Sequence, residues 1–248
     1  MLPRGFHARP FAHRALHGPG RPENSRSAID AAMTAGYGIE IDLQLSSDGQ
    51  AVVFHDYALD RLTDARGPVR QRSAQDLAAI QLRDSDEGIP TLSQVLDQVA
   101  GAVPLLIEIK DQDGALGPAI GPLEEAAAAC LTDYPGPVAV MSFNPFSVAR
   151  MGQLLPDLPH GLTTCAFDKA DWPTVPQERL DALRPMPDLE TLGADFISHQ
   201  WNDLTNPVVQ AAKARGLRVF CWTIRSDTQQ AEALANGADQ VTFEGYMA

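Results

Sequence analysis

The sequence predicts an α/β fold, and within that class a closed barrel of parallel strands. Short apolar or β-branched runs alternate with segments of helical length along most of the chain. The stretches AKARGLRVFCWT and ALANGADQVTF each join a helix end, a glycine suited to the left-handed conformation, and a strand. Several strands also carry few polar residues, which is typical of a sheet covered by helices on both faces.

Nine runs qualify as strands, which is one more than an eight-stranded barrel needs. In chain order they are FAHRA (11–15), GIEIDLQLS (38–46), VVFH (52–55), LLIEIK (105–110), VAVMSF (138–143), HGLTTC (160–165), DFISHQ (195–200), RVFCWTI (218–224) and DQVTFE (239–244). The run VVFH follows the turn SSDG, so we expect it to pair as a hairpin with the strand before it. The other eight would form the barrel.

The first predicted helix shows how the helices begin and end. Asn24 is a good N-cap residue, and Gly36 is suited to end the helix. The apolar stripe between them consists of Ala28, Ile29, Ala32 and Met33. One stretch, 57–90, lacks this alternation and has few large apolar residues, so we predict a small insertion at one rim of a single domain spanning 1–248.

Composition indicates a globular protein with a strongly acidic balance. Of the 248 residues, 44% are hydrophobic and 21% are charged, and the net charge is −13. This charge disfavours nucleic acid and anionic membranes as partners, so an anionic substrate would need a local cationic site. No apolar run approaches the roughly 20 residues of a membrane span, and a secretory signal is not apparent. We therefore expect a cytoplasmic protein.

Cys130, Cys165 and Cys221 lack CxxC spacing, which favours reduced thiols.

Ionisable side chains interrupt the apolar runs near the ends of the predicted strands. In a parallel barrel the functional groups collect at the C-terminal ends of the strands. The residues in question are His13, Arg14, Glu40, Asp42, His55, Asp56, Glu108 and Lys110. Their convergence on three or four core strands is not expected of scattered surface charges, so we treat them as a candidate site.

Three of these residues suggest a metal site. Glu40, Asp42 and Glu108 offer hard oxygen ligands, which suit Mg²⁺, Ca²⁺ or Mn²⁺ better than zinc. Arg14 and Lys110 would offset the remaining negative charge and attract an anionic group such as phosphate. Two alternatives stay open at this point. The first two carboxylates would also suit the wet face of an antiparallel sheet, and Glu108 with Lys110 would suit a simple ion pair.

Two histidines beside a metal and two cations suggest acid–base chemistry on a phosphoryl group. His13 and His55 could exchange protons with the nucleophile and the leaving oxygen. Taken singly, each of these histidines is more often a hydrogen-bonded structural residue than a catalytic one. The sequence contains no GxSxG, HExxH, GxxxxGK[ST] or GxGxxG motif, so it does not support a serine hydrolase, a zincin, a P-loop protein or a Rossmann fold.

Taken together, the motifs resemble those of the glycerophosphodiester phosphodiesterase family. They run in the family's order over nearly the whole chain: HR (13–14), PENS (22–25), EIDLQLSSDG (40–49), VVFHDYALDRLTD (52–64), IPTLSQVL (89–96), EIK (108–110), SF (142–143) and WTI (222–224). The resemblance implies a TIM-type (β/α)8 barrel with a small insertion after the second barrel strand. It also implies metal-dependent hydrolysis of small glycerophosphodiesters to sn-glycerol 3-phosphate and an alcohol.

The resemblance also assigns roles to individual residues. It implies Glu40, Asp42 and Glu108 as ligands of one divalent cation, Mg²⁺ or Ca²⁺ with Mn²⁺ as a further option, and His13 and His55 as the acid–base pair. Arg14 and Lys110 would bind the phosphate, and Trp222 would line the pocket. Without the resemblance, Trp222 is simply an aromatic residue near a strand end, where packing is the more common role.

The chain departs from the family pattern in places. Ala15 follows His-Arg where the family usually has glycine, which raises the question of whether the turn is altered. His17 is an additional loop histidine, and Thr242-Phe243-Glu244 stands where Thr-Asp is usual after the last strand. Neither the role of Asp56 nor the oligomeric state is predicted. A cyclic phosphate product and a non-catalytic phosphoester-binding barrel remain alternatives.

Overall fold

The computed structural model describes residues 2–3 and 5–248, and its centre is a closed parallel barrel. The strands are β1 (Phe11–Ala12), β2 (Gly38–Leu45), β3 (Ala51–Val53), β4 (Leu105–Ile109), β5 (Val138–Ser142), β6 (His160–Thr164), β7 (Phe196–Gln200), β8 (Arg218–Ile224) and β9 (Gln240–Phe243). The sheet order is β1-β9-β8-β7-β6-β5-β4-β2-β3, and a parallel pairing of β1 with β2 closes the ring. All nine predicted strands are confirmed.

The ninth strand, which is not part of the closed parallel ring, is β3, as the SSDG turn predicts. It pairs antiparallel with β2, with Leu43 opposite Val53 and Leu45 opposite Ala51. Gly49, in the turn, has φ 76°, a left-handed conformation that glycine adopts without steric cost. The hairpin therefore returns the chain along the outside of the barrel ring and leads directly into His55.

The helices cover the outside of the barrel. They are α1 (Arg26–Ala35), α2 (Ala74–Ala79), α3 (Leu92–Val99), α4 (Pro122–Leu131), α5 (Pro145–Leu154), α6 (Gln177–Leu183), α7 (Leu189–Leu192), α8 (Pro207–Ala214) and α9 (Asp227–Ala235), with 3₁₀ turns at Val69–Gln71 and Trp201–Asp203. Gly36 ends α1 in the left-handed conformation, as predicted. The predicted N-cap was wrong: the side chain of Ser25, not of Asn24, accepts a hydrogen bond from the amide of Ala28.

Alternate residues of β2 face opposite layers of the molecule. Ile39, Ile41 and Leu43 belong to the main apolar core, which lies between the strands and the helices. Glu40 and Asp42 face the inside of the barrel, and each is 1% exposed. Because β2 is buried and pairs in parallel with β1 and β4, the wet face of an antiparallel sheet is excluded.

Aromatic side chains fill the barrel below these carboxylates. A separate core cluster consists of Phe6, Phe11, Leu106, Ala139, Met141, Phe196 and Phe220. Gly38 leaves room for this cluster, since a Cβ there would lie 2.7 Å from the ring of Phe11. The barrel is therefore a packed core that opens only toward the C-terminal ends of its strands.

The stretch 57–90 lies against β3 and contains α2 and one of the 3₁₀ turns. A small apolar cluster holds it together, made of Val52, Phe54, Leu59, Val69, Leu77, Leu82 and Ile89. In the part of the chain that the model describes, no helix is both long enough and apolar enough to cross a membrane. The three cysteines are free thiols, as expected.

Candidate active site

Three buried carboxylates converge inside the C-terminal end of the barrel. Glu40 and Asp42 lie on β2, and Glu108 lies on the neighbouring β4, directly opposite Asp42 in the strand register. One oxygen from each lies within 4.8 Å of the other two. The predicted triad is thus a single cluster of hard oxygen ligands, formed by the parallel pairing of two strands.

Neighbouring groups fix the orientation of two of these carboxylates. The amide of Arg14 donates to Oε2 of Glu40 at 2.8 Å. Nδ2 of Asn24 donates to Oδ2 of Asp42 at 2.9 Å, and the amide of Asp42 donates to Oδ1 of Asn24 at 3.3 Å. Asn24 is therefore a site residue that sequence analysis missed, because it was assigned to the helix cap.

The two predicted cations lie against the same cluster. Nζ of Lys110 is 2.8 Å from Oδ1 of Asp42 and 2.6 Å from Oε1 of Glu108. Nη1 of Arg14 is bound to Glu23 at 2.8 Å, while its Nε lies 3.7 Å from Oδ2 of Asp42. Burial alone would raise the pKa of Asp42. The charges of Lys110, His55 and Arg14 outweigh burial and hold this pKa well below its ordinary value.

The pKa of Glu40 is shifted in the direction opposite to that of Asp42. Burial, and after it the charges of Asp42 and Glu108, raise the pKa of Glu40 well above its ordinary value. The cations present thus neutralise Asp42 but leave Glu40 in a site where a further negative charge is costly. A divalent cation would supply the charge that this cluster lacks, so the residues present fit one.

His13 follows β1 directly, and a carboxylate from the other end of the chain holds its ring. Its Nδ1 lies 2.6 Å from Oε2 of Glu244, which follows β9. Burial lowers the pKa of His13, and the contact with Glu244 only partly opposes this effect. Glu244 also contacts Nε2 of His17 at 3.6 Å and Nη2 of Arg225 at 2.6 Å. The sequence marked Glu244 only as a departure from the family pattern, and the structure makes it the partner of His13.

His55 has an equivalent arrangement on the hairpin side of the mouth. Its Nδ1 lies 2.7 Å from Oδ1 of Asp56, and Nε2 of Gln44 donates to its carbonyl oxygen at 3.0 Å. Burial alone would raise the pKa of Asp56, but contacts with His55 and Arg61 outweigh burial and hold this pKa well below its ordinary value. Asp56, which the sequence left unassigned, orients the ring beside it. Both histidines thus have Nδ1 engaged by a carboxylate, which leaves Nε2 for a substrate.

The turn after His13 answers the question that Ala15 raised. Arg14 has φ 52° and Ala15 has φ 63°, so the left-handed turn is kept although glycine is absent. The amide of Ala15 donates to the carbonyl oxygen of Glu40 at 2.9 Å, and this contact holds the turn over β2. An alanine in this region is strained by roughly 1–2 kcal/mol.

Aromatic side chains line one side of the mouth. The ring of Phe143 lies 5.5 Å from that of Trp222 and 4.9 Å from that of Trp172, both edge-on. Nε1 of Trp222 donates to the carbonyl oxygen of Ser198 at 3.0 Å, which fixes the indole. Trp172 comes from the loop after β6, and only its position in the fold reveals that it belongs with the other two.

Comparisons with known proteins find phosphodiesterases that match nearly the whole chain. A glycerophosphodiester phosphodiesterase of Caldanaerobacter subterraneus subsp. tengcongensis is 27% identical over 230 residues, which cover 89% of this chain and 87% of that protein. One from Bacillus altitudinis is 28% identical over 241 residues, covering 93% and 92%. Among solved structures, an Oleispira antarctica phosphodiesterase in complex with the product sn-glycerol-3-phosphate matches with a TM-score of 0.78 at 26% identity, covering 98% of this chain and 93% of that one.

The family model covers the site from its first histidine to its last carboxylate. The model of the glycerophosphoryl diester phosphodiesterase family matches residues 13–244, which is most of the chain. That range begins at His13 and ends at Glu244, the pair whose side chains meet at the ends of the neighbouring strands β1 and β9. By its motifs, its barrel and this match, the chain belongs to the glycerophosphoryl diester phosphodiesterase family.

Proposed function

We propose that the chain hydrolyses small, soluble glycerophosphodiesters to sn-glycerol 3-phosphate and an alcohol, with the help of one divalent cation. The observation that carries this proposal is the buried carboxylate cluster within a family whose barrel hosts phosphodiester hydrolysis. The Oleispira phosphodiesterase that matches this chain was solved with sn-glycerol-3-phosphate bound. A small anionic phosphodiester is therefore the proposed substrate.

Glu40, Asp42 and Glu108 are the proposed ligands of the cation. Their oxygens favour Mg²⁺ or Ca²⁺, with Mn²⁺ as a further option. When bound, the cation would polarise the phosphoryl oxygens and lower the pKa of a coordinated water or hydroxyl. Asn24 and the amide of Arg14 would hold two of the ligands in place, as they do in the structure.

The two histidines are the proposed acid–base pair. Because burial lowers the pKa of His13, its ring is neutral near neutral pH, and its Nε2 can accept the proton of the nucleophile. His55 would deliver a proton to the departing alcohol oxygen as the P–O bond breaks. Glu244 and Asp56 keep Nδ1 of each ring engaged, so the proton transfers would use Nε2.

Arg14 and Lys110 are the proposed phosphate-binding residues. In the described part of the chain, the buried Nε of Arg14 has no hydrogen-bond partner, so a donor is available beside the carboxylates. Both cations lie in the mouth, where they offset the global charge of −13 that would otherwise repel an anion. Trp222, fixed by Ser198, would form a wall of the pocket.

The direct test measures release of glycerol 3-phosphate from glycerophosphocholine and related diesters, with Mg²⁺, Ca²⁺ or Mn²⁺ and with a chelator. We expect cation-dependent release that the chelator abolishes. If no diester is turned over with any of these cations, the proposal fails. Phosphorus NMR of the first product identifies whether water or a substrate hydroxyl attacks, because the second route gives a cyclic phosphate.

The acid–base assignment has its own test. His13→Ala and His55→Ala should each lower kcat by at least about 100-fold, because each removes a proton-transfer group. Circular dichroism would establish that the variants are folded. His7→Ala is the matched control, since His7 packs edge-on against Phe220 at the closed end of the barrel. Near-normal turnover in either site variant would remove that histidine from the mechanism.

A further inference from the structure

One arginine from the stretch after β3 links both halves of the candidate site. Nε and Nη2 of Arg61 donate to Oδ2 and Oδ1 of Asp56 at 2.7 and 2.9 Å. Nη1 and Nη2 of the same guanidinium donate to Oε2 and Oε1 of Glu23 at 2.8 and 2.7 Å. Arg61 therefore forms two paired contacts at once, one with the hairpin side of the mouth and one with the loop that follows β1.

Each of these carboxylates holds a different group of the site. Asp56 lies 2.7 Å from Nδ1 of His55. Glu23 accepts from Nη1 of Arg14 at 2.8 Å, and Arg14 is the cation beside Asp42. A continuous chain of charged contacts thus runs from the ring of His55 to the carboxylate cluster, with Arg61 at its centre.

Stability alone gives a weak reason for this arrangement. The side chain of Arg61 is 47% exposed, and ion pairs at that exposure contribute little to the free energy of unfolding. Arg83 anchors the same stretch internally, since its guanidinium donates to the carbonyl oxygens of Thr63 and Asp60. The planar guanidinium of Arg61, in contrast, makes paired hydrogen bonds that restrict the orientation of Asp56 and Glu23, two partly buried carboxylates at the mouth.

We propose that Arg61 is a positioning residue that acts on both halves of the site. Through Asp56 it fixes the ring of His55. Through Glu23 it fixes the guanidinium of Arg14. The proposal rests on the proposed function, because it assigns Arg61 to the acid–base and phosphate-binding groups named there.

The contact between Asp56 and His55 shows how a remote arginine can control a proton. Oδ1 of Asp56 accepts from Nη2 of Arg61 and also contacts Nδ1 of His55. An ionised carboxylate has no proton to give, so the proton in that contact belongs to Nδ1. Nε2 is then the ring nitrogen left to carry the proton that His55 would deliver to the departing oxygen. Without Arg61, the carboxylate can rotate and Nδ1 of the ring is no longer held against it.

The first experiment compares Arg61→Ala and Arg61→Lys with Arg83→Ala in the full chain. Arg61→Ala should lower kcat/KM by about 10- to 100-fold, the usual effect of losing a supporting contact. Arg61→Lys keeps the charge but not the planar guanidinium, so it should recover only part of that loss. Arg83→Ala should keep near-normal kinetics. Thermal unfolding of all three separates a kinetic effect from a general loss of structure.

A second set of variants separates the two branches. Asp56→Asn should act mainly on kcat, because it affects the proton-transfer ring. Glu23→Gln should act mainly on KM, because it affects the phosphate-binding cation. Adding Arg61→Ala to the Glu23→Gln/Asp56→Asn double variant should cause little further loss, since no carboxylate remains for it to orient.

Nitrogen-15 NMR of histidine-labelled protein provides a readout that needs no turnover. The signal of His55 is assigned by its loss in His55→Ala. Wild-type protein should show His55 with Nδ1 protonated and hydrogen-bonded, and Arg61→Ala should shift or broaden the Nδ1 signal. An unchanged His55 signal together with kinetics like those of Arg83→Ala would overturn the role of Arg61. Absence of turnover in wild-type protein would instead overturn the proposed function, with the NMR comparison still deciding on Arg61.

Discussion

Glu244, near the far end of the chain, opposes the effect of burial on the pKa of His13. The two side chains are in contact at 2.6 Å, and His13 and His17 hold the pKa of Glu244 well below its ordinary value. The carboxylate therefore stays charged and favours the protonated form of the His13 ring. Burial disfavours the protonated ring and has a larger effect than Glu244, so the pKa of His13 is lowered overall.

Removing that charge should shift the pH dependence of turnover. Glu244→Gln keeps an oxygen near Nδ1 of His13 but removes the charge that raises its pKa, so the pKa should fall further. The acidic limb of the kcat profile should then move to lower pH, and kcat at its plateau should decrease because the ring is held less firmly. An acidic limb that stays in place would show that His13 does not set it. Glu232→Gln, on the exposed side of α9, is the control.

Ala15 should be replaceable by glycine with a gain in stability. The residue has φ 63°, a conformation that strains an alanine and costs glycine nothing sterically. After allowance for the greater chain entropy of glycine, Ala15→Gly should raise the free energy of unfolding by about 0.5–1 kcal/mol. Ala129→Gly, on an exposed turn of α4, should lower it by a similar amount. Urea unfolding measures both, and a loss of stability in Ala15→Gly would contradict the argument.

At the scale of single elements, the start of α1 divides two tasks between adjacent residues. Ser25 caps the helix, and Asn24, with φ 60°, turns its side chain into the barrel toward Asp42. Both residue types are good N-caps, so their order in the sequence does not reveal which one performs that task. The side chain that is not needed at the cap is free to support a ligand.

This division predicts different outcomes for two neighbouring substitutions. Ser25→Ala should lower the free energy of unfolding by about 1 kcal/mol and leave turnover nearly unchanged, because only a helix cap is lost. Asn24→Gly, which tolerates the left-handed backbone, should lower cation affinity or activity by about 10- to 100-fold. Denaturant unfolding and a cation titration of the activity separate the effects. The opposite pattern would restore Asn24 as the cap.

Elements that depend on local sequence were predictable, and several contacts between segments distant in the sequence were not. Alternating apolar runs and helix-ending glycines predicted all nine strands, and SSDG predicted the hairpin, because each signal lies within a few neighbouring residues. The triad was predictable because its carboxylates interrupt buried runs. Glu244 and Asn24 were missed because their partners are distant in sequence or because another local role was available to them. The pairing of β1 with β9 brings Glu244 to His13, and the left-handed turn at Asn24 brings that side chain to Asp42.

On the scale of the whole molecule, the carboxylate cluster should link cation binding to stability. At a cation concentration about 100 times Kd, binding should raise the free energy of unfolding by about 2.7 kcal/mol and Tm by about 5–10 °C. Burial and neighbouring charges raise the pKa of Glu40, so protons compete with the cation at low pH. The shift in Tm should therefore grow as pH rises from the acidic range toward neutrality.

A second acidic cluster provides the control for this measurement. Asp30, Asp86 and Glu87 line a surface cavity of about 490 Å³ beside α1, and none of them belongs to the triad. Asp42→Asn should abolish the cation-dependent shift in Tm, and Asp86→Asn should retain it. Equal shifts in both variants would mean that the cation stabilises the protein through surface charge rather than through the triad.

The pairing of β1 with β9 has a consequence for synthesis of the protein on the ribosome. The strand β1 contains only Phe11 and Ala12, and it pairs with β2 on one side and with Thr242 and Phe243 of β9 on the other. His13 meets its carboxylate 231 positions later in the chain. A nascent chain therefore cannot pair His13 with its carboxylate until residue 244 has left the exit tunnel. Shortened translation products that end before residue 240 would lack the final strand, so they could not close the barrel.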